Sequence, residues 1–591
     1  MVYPQNNAKR RVIETPGIWM LKPDPDGIGE ESRWQKGFDD GIPVGVPGSL
    51  NEQLAELGLM YYTGAAWYQV ELELPRLDTE QRALLWFGSA DHNAVVWVNG
   101  VRVGEHAGGY IPFELDITSS LKPGRNRIIA RVDNILTHDT IPQGVTVEDF
   151  EAFNIPRVES FPPTLPDFLI YGGLPRPVRI SFVDKQRIDS LRLHSTLAGT
   201  KGEIEWTVNT TPEVGLHAVV KAVLWDGETE ICSAESTVSE YSASGNLTVQ
   251  NVKPWSPADP YLYRIEFTLT VGDQIVDSYT EEHGIREIRL EGNKLLLNGE
   301  PIFLTGFGKH EDFAVLGKGL SMPVVVKDFH LMKWIGANSF RTSHYPYADE
   351  IMRLADRMGF LVIDEVPAVS VNFRFVTEKT LESHKRALTE LIERDRNHAC
   401  VIAWSIANEP GIWGEEEAAS EAAHEYWRTI ALHTRGLDDS RPITLPTCPK
   451  QGMKDPSYEH VDFISVNRYW GWYEVPTDLD RALKKFRDEM REIHERFGKP
   501  ILVTELGADT IEGLHSTVPQ FFTEEFQADF IDAYFDVIEE DPWFLGEHIW
   551  NFADFRTAQH HRRVVLNRKG VFNRQRDPKL AAFRVRDRWK K

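Results

Sequence analysis

Three regimes of hydrophobic patterning follow one another along this chain of 591 residues. Up to about Ile180, apolar positions come in short runs or alternate with polar ones, the period of half-buried strands. Ala83–Phe87 is one such run, Arg127–Val132 alternates, and Val95–Val98 leads through Asn99-Gly100 into Val101–Val103. An Asn-Gly pair between two apolar runs favours a tight hairpin, because both residues accept positive φ. Gly108-Gly109, Lys122-Pro123-Gly124 and Gly172-Gly173 punctuate the rest, and no long helical period intervenes. Residues 1–183 are therefore expected to form a jelly-roll β-sandwich, which alone would suggest a carbohydrate-binding module. In 184–286 the runs Ile204–Val208, His217–Trp225, Ser244–Val249, Leu262–Val271 and Gln274–Glu281 alternate between turn-rich joints. About seven short strands in about a hundred residues fit an immunoglobulin-like sandwich. It carries no cluster of catalytic residue types and reads as a spacer.

The third regime, 287–591, opens with Leu295–Glu300, a hairpin around Asn298-Gly299. Apolar strands then alternate with amphipathic stretches such as Leu381–Arg396 and Glu415–Thr434. The expected strands are Ile302–Gly306, Ser339–Thr342, Leu361–Asp364, Ile402–Ile406, Ile443–Leu445, Phe463–Val466, Ile501–Thr504 and Glu547–Trp550. Eightfold strand–helix alternation means a (β/α)8 TIM barrel, whose chemistry sits at the C-terminal ends of its strands. Those ends hold Lys309-His310-Glu311-Asp312, His344-Tyr345, Asp364-Glu365, Asn408-Glu409, Asn467-Arg468-Tyr469, Glu505 and Trp550-Asn551. Solubility explains so dense a rim of carboxylates, histidines and aromatics poorly; a sugar site explains it well.

Within that rim, Val401–Pro410 (VIAWSIANEP) is apolar until it ends in Asn408-Glu409-Pro410. Taken alone, Glu409 is equally well a solvated loop carboxylate. Glu505, in Val503–Gly507, closes strand seven as Glu409 closes strand four, so both face the barrel mouth. Glycoside hydrolysis requires such a pair, one proton donor and one nucleophile or base.

Composition narrows the partners. With 41% hydrophobic and 26% charged residues the chain is an ordinary globular protein. A net charge of −24 argues against nucleic acid or an anionic membrane as partner, while leaving room for a small anion held by a local basic cluster. Cys232, Cys400 and Cys448 are widely spaced and form no disulfide framework. With an N-terminus lacking an apolar core, this points to a cytoplasmic location. Asn209 and Asn246 match the short glycosylation pattern, which recurs by chance. No histidine or cysteine cluster suggests zinc, and neither metal nor cofactor is expected.

Trp404–Pro410, Asn338–Tyr347 (NSFRTSHYPY), Asn467–Tyr473 (NRYWGWY), Thr504–Gly507 and Trp550–Phe555 (WNFADF) together resemble glycoside hydrolase family 2, and within it the members that cleave β-glucuronides. The resemblance spans the chain, domain order included. It implies a retaining exo-acting hydrolase that releases glucuronate from an aglycone through a covalent glycosyl-enzyme intermediate. Glu409 would be its acid/base, Glu505 its nucleophile, and Asn408 the partner of the sugar 2-hydroxyl. It further implies that Asn567 and Lys569, the Asn-x-Lys of Arg563–Gly570, recognise the C6 carboxylate, with Arg563 beside them. A charge-assisted bond from an ammonium is one a neutral hydroxymethyl group cannot repay. The same resemblance places Asp167, His344, Tyr469, Tyr473 and Trp550 around the sugar, although each could instead be packing. The substrates implied are small-molecule glucuronide conjugates or glucuronate-terminated glycans, and the assembly a homo-oligomer, tetramer or dimer. A galacturonidase or galactosidase of the same family, or a sugar-binding protein without turnover, are the alternatives. The metal ligands of the galactosidase branch are not evident after strand three. The short segment Ala368–Val376 there suggests an open mouth, with Phe373 and Phe375 offered as exposed contacts for an aglycone or a second subunit.

Overall fold

The structure is a computed structural model that describes residues 1–74, 78, 80–146, 149, 166–215, 217–411, 415–449, 452–559 and 563–591. The N-terminal sandwich pairs a four-stranded sheet (Arg11–Glu14, Val178–Asp184, Gln81–Phe87, Phe113–Asp116) with a six-stranded one (Ile42–Gly45, Ile18–Asp24, Ala65–Leu74, Gly124–Asp133, Asn93–Val98, Val101–Ala107). Alternation puts Trp19, Tyr68, Leu85, Phe87, Val96, Ile128 and Ile180 between the sheets. The Asn99-Gly100 hairpin forms with both residues at positive φ (52° and 82°), and Val98 pairs with Val101.

Seven strands among the described residues build the second sandwich, in sheets of three and four around Trp206 and Phe267. The eight barrel strand positions are numbered β1 (Leu304–Lys309), β2 (Ser339–Thr342), β3 (Leu361–Glu365), β4 (Val401–Ser405), β5 (Ile443–Thr444 and Pro446–Thr447), β6 (Ile464–Asn467), β7 (Ile501–Glu505) and β8 (Phe544–Ile549). They pair in parallel in that order, and β1 pairs with β8. The two halves of β5, either side of Leu445, pair with β4 and β6 respectively and carry the ring across.

Three sequence expectations need correction. β1 starts later than Ile302, because Glu300–Ile302 folds back on Lys294–Leu297 to close the hairpin. β5 is followed among the described residues by two short 3-10 turns, Gly452–Lys454 and Pro456–Glu459, where a full helix was expected. Phe375 is buried and stacks on His138 at 4.6 Å, and Phe373 packs edge-on against Tyr426 and Trp427. The first sandwich thus covers the segment after β3, whose Asn372 backbone N–H donates to Gln143 at 2.8 Å.

Buried polar contacts clamp the first sandwich over the barrel mouth. Arg176 donates to Glu311 (3.0 Å) and to the Pro346 carbonyl (2.6 Å), Lys318 to Asp91 (2.7 Å), and the Tyr171 hydroxyl to Asp312 (2.7 Å). Together they carry the neighbouring Asp167-Phe168 to the rim. No helix among the described residues is long and apolar enough to cross a membrane.

Candidate active site

Every residue of β4 is buried, and the strand stops as its sequence requires. Glu409 adopts φ 46°, its N–H donates to the Pro446 carbonyl (2.8 Å), and Pro410 follows. The Glu409 carboxylate accepts from Asn467 Nδ2 at 3.0 Å, and the same amide donates to Asn408 Oδ1 at 3.1 Å. Thr504 on β7 donates to Asn467 Oδ1 at 2.8 Å, which fixes the amide's orientation.

Glu505 ends β7 with both oxygens held. Arg341 Nη2 donates to Oε1 at 2.5 Å and the Tyr469 hydroxyl to Oε2 at 2.6 Å. Arg341 is in turn gripped by both oxygens of Glu365 (2.9 and 2.8 Å), which also accept from Ser405 (2.7 Å) and contact His344 Nδ1 (2.7 Å). His344 stacks on Trp550 at 4.9 Å. Burial, with Arg341 adding to it, pushes the His344 imidazole down to about 3, so it is neutral and adds no charge of its own beside Arg341 and Glu505.

The two glutamates differ in electrostatics. Burial first, and the neighbouring Glu505 charge second, push Glu409 up to about 7, against the Asn467 bond and the charges of Arg341 and Arg468. Glu409 therefore carries a proton near neutrality, while Glu505 sits in a cradle of donors suited to an anion. One donor and one nucleophile at the same rim is the equipment for cleaving an acetal bond.

Tyr469 stacks edge-on against Tyr473 (5.3 Å), leading from Glu505 to a second polar cluster. The Tyr473 hydroxyl accepts from Lys569 Nζ and from Arg563 Nη2, both at 2.9 Å. Arg563 also donates to Asp167, to which Asn567 Nδ2 (3.1 Å) and the Thr557 hydroxyl (2.7 Å) donate as well. Against partial desolvation, Arg563 pulls Asp167 down to about 2, with Lys569 assisting. Lys569 is 1% exposed although it is a lysine, whereas Tyr473 is 45% exposed at the mouth. All eleven residues singled out in the sequence thus join one continuous network.

Arg341, Glu365 and Asp509 were given no site role from the sequence. Arg341 stands inside a motif quoted above, at the end of the expected strand Ser339–Thr342, and that place was its one local signal; its burial beside Glu365 and Glu505 came only with the fold. Glu365, named above only among the strand-end residues, proves to be the hub of four contacts. Asp509, which bridges Lys569 and Arg563, carried no local signal at all. Among the described residues one trio has a spacing that would suit a metal, Asp356, His398 and Cys400. Both Asp356 oxygens there are already engaged, by Cys400 N (2.8 Å) and His398 Nδ1 (2.5 Å), and the trio precedes β4 at the end away from the mouth.

Known proteins match this architecture throughout. Family models match in order: the sugar binding domain of glycosyl hydrolases family 2 at 13–180, a second domain of that family at 186–286, and its TIM barrel domain at 288–591. The chain is 39% identical over 602 residues to a β-glucuronidase of Paenibacillus borealis, covering 100% of this chain and 98% of that protein. It is 35% identical over 618 residues to the human β-glucuronidase, covering 100% and 92%. The structure of the Ruminococcus gnavus β-glucuronidase in complex with D-glucuronic acid superposes with a TM-score of 0.91 at 36% identity, covering 100% of this chain and 99% of that one. Two carboxylates at one barrel rim, two sandwiches before the barrel, and matches along the whole length lead to one conclusion: the chain belongs to glycoside hydrolase family 2.

Proposed function

We propose that this protein is a retaining exo-β-glucuronidase, hydrolysing β-D-glucuronides to glucuronate and an aglycone. The observation that carries the reading is a continuity of contacts. Tyr469 bonds Glu505, and its neighbour Tyr473 bonds both Lys569 and Arg563, so a sugar with C1 at Glu505 has its C6 end at two cations and an amide. The full-length relatives named above are β-glucuronidases, which supports the same substrate class.

Glu505, its charge held by Arg341 and Tyr469, attacks C1. Glu409 passes its proton to the departing glycosidic oxygen, and the C1–O bond breaks as the Glu505–C1 bond forms. Glu409, now ionised, takes a proton from water, whose oxygen displaces Glu505 from C1. Two inversions leave the β configuration retained. Asn408 lies beside Glu409 where a sugar 2-hydroxyl can bond to it. The remaining N–H groups of Lys569 and Asn567 take the C6 carboxylate through charge-assisted bonds. The resemblance to the family also implies a homo-oligomer, whose order analytical ultracentrifugation would count.

The test is turnover of p-nitrophenyl β-glucuronide, β-galacturonide, β-galactoside and β-mannoside. The glucuronide should be preferred, and preference for any other sugar would overturn the reading. Glu505→Gln and Glu409→Gln should each lower glucuronide turnover by about a hundredfold or more with the fold intact; unchanged turnover in either would sink the role given to it.

A further inference from the structure

Asp509 is 1% exposed and follows the nucleophile Glu505 by four residues, in the segment leaving β7. Its Oδ2 accepts from Lys569 Nζ at 2.5 Å and from Arg563 Nη1 at 3.1 Å, and its Oδ1 from the Arg568 backbone N–H at 2.9 Å. The next residue returns the connection, Thr510 N–H donating to the Arg568 carbonyl at 3.0 Å. Two segments far apart in sequence, one bearing Glu505 and the other Asn567 and Lys569, are stitched at this point. The stitch uses a carboxylate on one side and the two cations of the C6 cluster on the other.

We propose that Asp509 is the positioning residue for uronate recognition, setting where the Lys569 ammonium and the Arg563 guanidinium stand relative to the nucleophile. This inference rests on the glucuronide reading and deepens it. An ammonium has three N–H groups on a flexible four-carbon stem. Asp509 takes one, the Tyr473 hydroxyl takes a second, and the third is left for the substrate with its direction already set. Ordering that stem before the sugar arrives removes a cost that binding would otherwise carry. Asp509 also holds together two cations that would otherwise repel each other across the Tyr473 hydroxyl. With Asp167 and Asp509 ionised, the charges of Arg563 and Lys569 are balanced. Uronate is therefore recognised through the direction of N–H groups more than through excess positive charge. A wrongly aimed ammonium would forfeit the selectivity even though its charge remained.

The experiment is a double-mutant cycle of wild type, Asp509→Asn, Lys569→Ala and the double variant. Each is assayed for kcat and KM on p-nitrophenyl β-glucuronide, for inhibition by free glucuronate, and for thermal midpoint. Asp509→Asn should raise KM and weaken glucuronate by about tenfold, within the range coupled polar neighbours show, with a smaller change in kcat. In the Lys569→Ala background the same substitution should raise KM by clearly less than in wild type, because of the two cations it positions only Arg563 remains. If Asp509→Asn fails to fold, Asp509→Glu, which keeps the charge but moves it by one methylene, is read in the same cycle. Additive losses in the double variant, an unchanged KM in the Asp509 variant, or a loss confined to kcat would each overturn the proposal. Absence of glucuronide turnover in the wild type would instead overturn the functional reading beneath it.

Discussion

Glu409 is a carboxyl group whose neighbours decide its task. Held near 7 by burial and by Glu505, it can donate a proton below that pH and accept one above. The kcat/KM for an aryl glucuronide should therefore fall on the alkaline side with an apparent pKa near 7, as Glu409 loses the proton the leaving group needs. Asn467 donates to the ionised form and opposes the rise, so Asn467→Ala should move that limb to higher pH; a limb that stays put or moves down would contradict the assignment. Lys569→Ala should cost about tenfold or more in kcat/KM on the glucuronide and far less on any residual galactoside activity. Equal losses would argue against carboxylate recognition. The types of these residues were legible in the chain, because Asn-Glu-Pro and Asn-x-Lys are local strings. Their charge states were not, because those depend on which side chains lie across the mouth.

Elements carry their own titrations. On β8, Glu547 is fully buried, and its Oε1 accepts from Trp589 Nε1 of the C-terminal helix Leu580–Trp589 at 2.8 Å. Its other oxygen has no partner among the described residues, and burial pushes the group up to about 8. The folded protein keeps this proton up to about pH 8, whereas the unfolded chain releases it near the ordinary value of 4.5. Raising the pH between those values therefore draws the equilibrium towards unfolding, by about 1.4 kcal/mol per unit. The penalty is absent below the lower value and complete above the upper one. Glu547→Gln keeps an acceptor for Trp589 and removes the titration, so its thermal midpoint should gain more on wild type at pH 8 than at pH 5. An equal difference at both pH values would refute this account.

Across the whole molecule, the first sandwich completes the site as well as accompanying it. Asp167 reaches the C6 cluster because Arg176, Lys318 and Tyr171 fasten its domain to the barrel. Arg176→Ala would strand Glu311 as a buried charge, a loss of about 3–5 kcal/mol for a broken buried pair. The thermal midpoint should fall accordingly, and KM for glucuronide should rise as Asp167 loosens. A lowered midpoint with KM unchanged would mean that the clamp stabilises the fold without shaping the site.

The chain by itself determined whatever repeats or is local. Alternating strands, the Asn99-Gly100 turn and eight apolar runs are visible because side-chain period and turn chemistry are written in consecutive residues. The Asn-Glu-Pro and Thr-Glu-Leu-Gly strand ends are visible for the same reason. Only the tertiary structure decided how residues tens to hundreds of positions apart meet. Phe375 is covered by His138 of another domain, Arg341 stands between Glu365 and Glu505, and Asp167 lies against Arg563. Asp509 is the sharpest case. An aspartate in Gly-Ala-Asp-Thr looks like any loop residue until the fold brings Lys569 and Arg563 to one of its oxygens, because a contact between distant segments leaves no periodic trace in either one.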